Sequence, residues 1–179
     1  MENPYRLVSR REIYRNPWIR VREDIVRKPS GAEGVFGIIT LKPGSSVLPI
    51  DGDGHVYLAR EFKYGVQRAS IEVISGGIDP GETPLEAARR ELREEAGLVA
   101  SHWEQLACVD PFTTVVESPN YLFAARGLSR TAHQRDDGEI IELLRVPFEK
   151  AVDMVMDGEI THAGSCILIL KVWRGIARS

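Results

Sequence analysis

Between Thr83 and Gly97 the chain is written almost entirely in helix signals, and its fold must be built around them. Thr83 can cap the helix, Pro84 takes the first helical position, where its missing N–H costs nothing, and Glu86 completes a capping box. Gly97 offers the left-handed stop. Leu85, Ala88, Leu92 and Ala96 then fall on one apolar stripe, which must face a core. Glu91, Glu94 and Glu95 gather on one flank, and Arg89, Arg90 and Arg93 lie towards the other. Glu91 and Glu95 are one turn apart, so their carboxylates can converge within about 6 Å and repel each other. A divalent cation such as Mg²⁺ relieves that repulsion, because hard ions prefer carboxylate and carbonyl oxygens. For a glutamate cluster taken alone, a solvated, salt-bridged face is the alternative.

Around this helix the pattern is mostly strand. Ile19 to Arg27 alternates apolar and charged residues, and Gly34 to Lys42 is β-branched and aromatic. Ser46 to Ile50 and His55 to Phe62 flank Asp51-Gly52-Asp53-Gly54. That segment reads as a β-turn rather than a calcium loop, since no glutamate follows at the required place. Ala69 to Ile74 is another strand, and further strands are expected at 104–109, 115–126 and 139–146. Amphipathic helices are expected at Glu149–Asp157 and Ala163–Ala177. With 179 residues, this predicts one α/β domain.

Composition narrows the function. Twenty-three basic against 26 acidic side chains give a net charge of −3, which argues against a basic scaffold for nucleic acid. The amino-terminal residues carry charges throughout, and no apolar run approaches the ~20 residues that span a bilayer. A cytoplasmic protein with no membrane partner is expected. Cys108 and Cys166 sit in apolar surroundings and match no metal spacing, so both are expected as buried free thiols. No serine or cysteine lies in a nucleophile motif. His55, His102, His133 and His162 are scattered and read as structural or solvent-exposed.

Gly76, five residues, Glu82, seven residues, and then Arg90-Glu91-Leu92-Arg93-Glu94-Glu95-Ala96-Gly97-Leu98 reproduce the Nudix box. The chain therefore resembles the Nudix hydrolases, which cleave a nucleoside diphosphate linked to another moiety. The resemblance implies an α/β/α sandwich with a mixed sheet, a single domain over 1–179, and the box at 76–98. It implies that Glu91 and Glu95 bind Mg²⁺, or Mn²⁺ in its place, with Glu94 as a further ligand or water partner. The backbone carbonyl of Ser75 or Gly76 would add a ligand. Arg90 would orient the site by pairing with a box glutamate such as Glu82.

Outside the box the chain looks like the ADP-ribose pyrophosphatase branch. That likeness implies an N-terminal β extension over about 1–43, which in relatives crosses to the other subunit of a homodimer, and a catalytic core over about 44–179. In VYLAREFKYGVQRASIEVISGG it makes Arg60 and Lys63 candidates for phosphate contact and Glu72 for the adenosine or ribose end. The loop DPFTTVVESPNYLFAAR makes Glu117 the candidate base or water-orienting group. A purine would stack on an aromatic face, with Trp18, Phe62, Tyr64 and Phe112 as the sources and a dimer-swapped Trp18 the most informative. The chain departs from the branch at Ile74, where relatives carry proline, and in the position of Pro111. The activity implied is metal-dependent hydrolysis of ADP-ribose or a related nucleoside diphosphate sugar to a nucleoside monophosphate and a sugar phosphate. A Nudix enzyme for a GDP-sugar or a dinucleotide, or a module that binds a nucleotide sugar without cleaving it, are the alternatives.

Overall fold

In the computed structural model, which describes residues 1–131 and 140–176, the capped segment is a helix, α1 (Pro84–Ala96). Thr83 Oγ1 accepts the Glu86 N–H at 3.3 Å, and the Glu86 carboxylate accepts the Thr83 N–H at 2.8 Å. Both halves of the capping box are thus made. Gly97 sits at φ 61°, a left-handed conformation, and its N–H returns to the Arg93 carbonyl. Ala88, Leu92 and Ala96 are buried as the stripe requires, and Glu91 is buried with them.

The strands begin with β1 (Arg6–Arg15), β2 (Ile19–Arg27), β3 (Glu33–Leu41), β4 (Gly44–Pro49) and β5 (His55–Lys63). After a 3₁₀ turn at Tyr64–Val66 come β6 (Arg68–Glu72) and β7 (Ile74–Gly77). Beyond α1 lie β8 (Leu98–Val109), β9 (Val116–Glu117), β10 (Asn120–Arg130) and β11 (Glu142–Pro147). The helices α2 (Phe148–Met156) and α3 (Ala163–Ile176) follow.

These elements form two units. The first takes Met1–Pro43 and Asp110–Pro119 and holds one sheet, in the order β1-β2-β3-β9, with β9 parallel to β3. The second takes Gly44–Val109 and the described residues from Asn120 onwards. Its larger sheet runs β7-β4-β10-β8 and is mixed, because β10 is parallel to β4 and antiparallel to β8. A three-stranded antiparallel sheet, β11-β5-β6, completes it.

Strand alternation builds the layers of the second unit. Val47, Ile74, Phe123 and Ala125 meet α1 through Ala88, Leu92 and Ala96. Leu48, Leu122 and Ala124 point the other way, towards Met154 of α2 and Leu168 and Ile169 of α3. Helix, sheet and helix therefore stack as an α/β/α sandwich. Each fully buried Leu, Val or Phe contributes about 1.5–3 kcal/mol, so the alternation fixes the register of β4 and β10 firmly.

Several expectations need correction. The charged amino terminus, within the β extension expected over about 1–43 though not marked as a strand by its own residues, forms β1, an exposed edge strand whose partner β2 supplies its ladder. The strand expected at 115–126 is broken in two at Ser118-Pro119, and β8 starts at Leu98 rather than near 104. Cys108 is exposed rather than buried, because it lies on the outer face of β8; Cys166 is half-buried, and both are free thiols. The turn at 51–54 is closed by its own carboxylate, Asp51 Oδ1 accepting the N–H groups of Asp53 and His55 at 3.0 Å. His133, Ala177 and the first residue of the strand expected at 139–146 lie outside the described residues. No described helix is long and apolar enough to cross a membrane.

Candidate active site

The box begins where β7 ends. Gly76 pairs with Ser45 and Ser75 with Ser46, so this short strand forms the edge of the mixed sheet. Ser45 Oγ donates to the Pro84 carbonyl at 3.0 Å and ties the start of α1 to that sheet. Gly76 permits the closest approach: a methyl group there would overlap the Glu91 carboxylate. Only a residue without a side chain lets this carboxylate lie against the backbone of β7.

Arg90 organises the acids. Its Nε and Nη2 donate to the two oxygens of Glu82 at 3.0 Å each, and Nη2 also donates to the Gly77 carbonyl at 2.8 Å. Nη1 donates to Glu91 Oε1 at 2.6 Å and to Glu94 Oε2 at 3.1 Å. A guanidinium has five N–H donors, and the protein accepts all five. The hydrogen bonds to Glu82 lead in raising the Arg90 pKa against the opposing effect of burial, and Arg90 in turn lowers that of Glu82.

Among the described residues no three His, Cys, Asp or Glu side chains converge as a ready-made metal cluster. The donors are nonetheless hard oxygens, and the bare Gly76 seats a carboxylate against the backbone that precedes the helix. That chemistry fits Mg²⁺ or Mn²⁺ rather than a soft ion.

The neighbouring hairpin sorts its candidates by face. Lys63 and Glu61 lie two apart on β5, and Glu72 of β6 pairs with Ala59, so the three share one face. Lys63 Nζ donates to Glu61. Burial pulls the Lys63 ammonium down, but that hydrogen bond and the charges of Glu72, Glu61 and Glu95 carry it above its ordinary value. The structure thus brings Lys63 and Glu72 together with Glu95 of the box. Arg60 lies on the opposite face of β5 and pairs with Glu142 of β11 at 3.4 Å. His162, expected to be structural or solvent-exposed, sets its Nδ1 3.4 Å from Glu72 Oε2 and 2.9 Å from Ser165 Oγ at the start of α3.

Glu117 and Trp18 belong to the first unit. Both Glu117 oxygens are taken by Arg22, through Nη1 at 2.6 Å and Nη2 at 2.5 Å, and Thr40 Oγ1 adds a third bond at 3.0 Å. Arg22 is itself buried and reaches Asp24, which also holds Arg10. The Arg22 bonds outweigh the cost of burial and hold the Glu117 carboxyl down to about 2. Trp18 is 75% exposed, and Phe62, Tyr64 and Phe112 are exposed as well. A depression of about 550 Å³ opens beside Arg90, bordered by Asp79, Glu86, Arg89 and Arg93; Glu91, Glu94 and Glu95 do not line it.

The sandwich, the glycine-seated carboxylate and the arginine hub are the parts of a Nudix hydrolase site. The NUDIX domain matches residues 40–164, and the chain belongs to that family. Residues 5–39 match the nucleoside diphosphate sugar hydrolase N-terminal domain. An ADP-ribose pyrophosphatase of Bacillus subtilis is 24% identical over 164 residues, covering 90% of this chain and 89% of that one. The ADP compounds hydrolase NudE of Escherichia coli is 29% identical over 71% of this chain and 69% of its own. Among solved structures, an ADP compounds hydrolase superposes with a TM-score of 0.86 at 22% identity, covering 98% of this chain and 96% of that one. This last likeness shows the fold.

Proposed function

We propose that this chain hydrolyses the pyrophosphate bond of ADP-ribose or a related nucleoside diphosphate sugar, with Mg²⁺, or Mn²⁺ in its place. The products are a nucleoside monophosphate and a sugar phosphate. The observation that carries this reading is Arg90 bridging Glu82, Glu91 and Glu94 while Glu91 lies on the bare backbone of Gly76. Relatives named for ADP-ribose and ADP compounds support the substrate class.

Glu91 and Glu95 would hold the ion, with Glu94 as a further ligand or the partner of the water, and the backbone carbonyl of Ser75 or Gly76 would add a ligand. When bound, the cation neutralises phosphate charge and makes water a better nucleophile at neutral pH. Arg90 keeps Glu91 and Glu94 in place and has no donor left for substrate. A water oxygen attacks one phosphorus, and the bond to the bridging oxygen breaks. The departing phosphate keeps the electron pair, and Glu94 takes the proton lost by the water. Lys63 contacts phosphate, Glu72 the adenosine or ribose end, and Trp18 stacks on the base; Arg60, on the opposite face of β5 and paired with Glu142, drops out of that set. A carboxyl held at about 2 is a weak proton acceptor, so Glu117 orients water as a fixed anion instead. The chain works in the cytoplasm as a homodimer, for which the exposed Leu7, Ile13, Tyr14 and Val35 of the first unit supply apolar surface.

A hydrolysis panel tests this: ADP-ribose, GDP-mannose, NADH, a diadenosine polyphosphate and a nucleoside triphosphate, each with Mg²⁺ and with chelator. AMP formed from ADP-ribose and abolished by chelator is the expected result. Preferred cleavage of another member would replace the substrate and keep the mechanism. Binding without product from any member would move the chain to the class of nucleotide-sugar sensors.

A further inference from the structure

Besides its glutamates, α1 carries a second pair of like charges one turn apart. Arg89 and Arg93 stand at i and i+4, and both are exposed. Charges of one sign at that spacing repel each other. Arg90 beside them gives all its donors to Glu82, Glu91, Glu94 and the Gly77 carbonyl. Among the described residues, no carboxylate or carbonyl accepts from Arg93. Arg89 makes no hydrogen bond or ion pair either; its guanidinium lies over the Trp103 ring, 5.8 Å from the centroid. A contact with a ring face uses the charge and leaves the N–H donors unused.

Both arginines border the depression of about 550 Å³ beside Arg90. Small-ligand sites occupy about 300–1,000 Å³. The acids that share this depression do not cancel the pair. Glu82 is bound through both oxygens by Arg90. Glu86 accepts the Thr83 N–H and hydroxyl on Oε2, and its Oε1 takes no hydrogen bond among the described residues. Asp79 stands 3.8 Å from Arg90 with half its side chain open to solvent. Along α1 the depression thus passes from carboxylate acceptors at its start to guanidinium donors a turn or two further on. Glu86 and Arg93 are seven residues apart, about 10 Å along the axis. Two guanidinium groups match a phosphate, and ionised carboxylates accept from hydroxyls. Inorganic phosphate alone would leave the acids without donors, and a longer chain of phosphates would bring its charge against them.

We propose that this depression binds a phosphomonoester of a sugar: Arg89 and Arg93 take the phosphate, and Glu86 and Asp79 accept the sugar hydroxyls. Glu91, Glu94 and Glu95 do not line it, so the site is separate from the ion site. A sugar phosphate is also a product of the hydrolysis proposed above, but the assignment rests on the depression alone.

The probe is ribose 5-phosphate, titrated in EDTA so that no divalent cation draws its phosphate to the box. The readout is the Trp103 indole N–H signal, assigned by its loss in Trp103→Phe, because Arg89 lies over that ring. A saturable shift with a dissociation constant on the order of 1 mM is expected. Arg93→Gln should keep the wild-type melting temperature and bind about tenfold more weakly. Arg89→Lys keeps the charge, loses the planar fork and should also weaken binding; it carries the test if Arg93→Gln fails to fold. Inorganic phosphate should bind about tenfold more weakly than the probe, and ribose should leave the signal in place. A wild-type signal that does not saturate, an affinity unchanged in both variants, or inorganic phosphate binding as well as the probe would overturn the proposal. So would a shift that appears only when Mg²⁺ replaces EDTA, since the ligand would then sit at the ion site. The hydrolysis panel judges the ion site by itself, and either reading can fail while the other stands.

Discussion

Arg90 and Arg22 both gather carboxylates, but Arg90 divides its donors among Glu82, Glu91, Glu94 and the Gly77 carbonyl, whereas Arg22 commits both terminal nitrogens to Glu117. The divided guanidinium holds each of Glu91 and Glu94 through one oxygen. It thereby aligns several acids around one hub while contacting neither of that pair through both oxygens. The committed guanidinium takes both oxygens of one acid and keeps it ionised to about 2. That arrangement suits a permanent anion and ill suits a group that must gain and lose a proton in each turnover.

The largest effect should come from the ion site. Glu95→Gln removes a carboxylate charge from the proposed ion site and should cut turnover by about 10²–10⁴-fold, with the circular dichroism spectrum and melting temperature near those of the wild type. Near-normal turnover would remove Glu95 from the metal set. Arg90→Lys keeps a charge but cannot serve five acceptors, so kcat should fall about a hundredfold. Arg22→Lys should cost about tenfold or less, because Lys can still neutralise Glu117. Similar losses in both variants would break the contrast between the two arginines.

Acid unfolding addresses the same contrast through stability. Glu117 sits at about 2 against an ordinary 4.5. Its contribution is therefore fully present above about pH 4.5 and is lost as pH falls towards about 2. The urea midpoint of the wild type should exceed that of Glu117→Gln at neutral pH and converge on it across this window. A difference that is constant with pH would show that the carboxylate is not held by charge. Smallest of all, Trp18→Ala should change stability by less than about 0.5 kcal/mol, since the ring is exposed. If Trp18 stacks on the base, the same variant should raise KM for ADP-ribose while leaving kcat in place.

What was legible in the sequence follows the range of the interactions. Thr83, Pro84, Glu86 and Gly97 act within one helix, and each does locally what its chemistry dictates. The ion pair of Arg90 with Glu82 spans eight residues and was also within reach. Arg22 and Glu117 are 95 residues apart. In an alternating strand Arg22 reads as one more solvated charge, yet it is buried, because the partner that neutralises it arrives on a distant loop. β1 was marked only by the resemblance, as part of the β extension over about 1–43, and not by its own residues: they are charged throughout, and pairing with β2 rather than burial makes it a strand. Cys108 was misjudged because apolar neighbours in sequence alternate between the two faces of a strand.

The segment Asp110–Pro119 lies between β8 and β10, which pair in the second unit, yet it brings β9 to the sheet of the first. The chain therefore has no single place at which the two units can be severed. A fragment ending at Pro43 would retain Arg22 and lack the carboxylate that neutralises it. It would have to hydrate that guanidinium or bury it unpaired, and the second choice is strongly unfavourable. Such a piece should stay unfolded or recruit a foreign anion, so any attempt to transplant the amino-terminal sheet must carry the 110–119 loop with it.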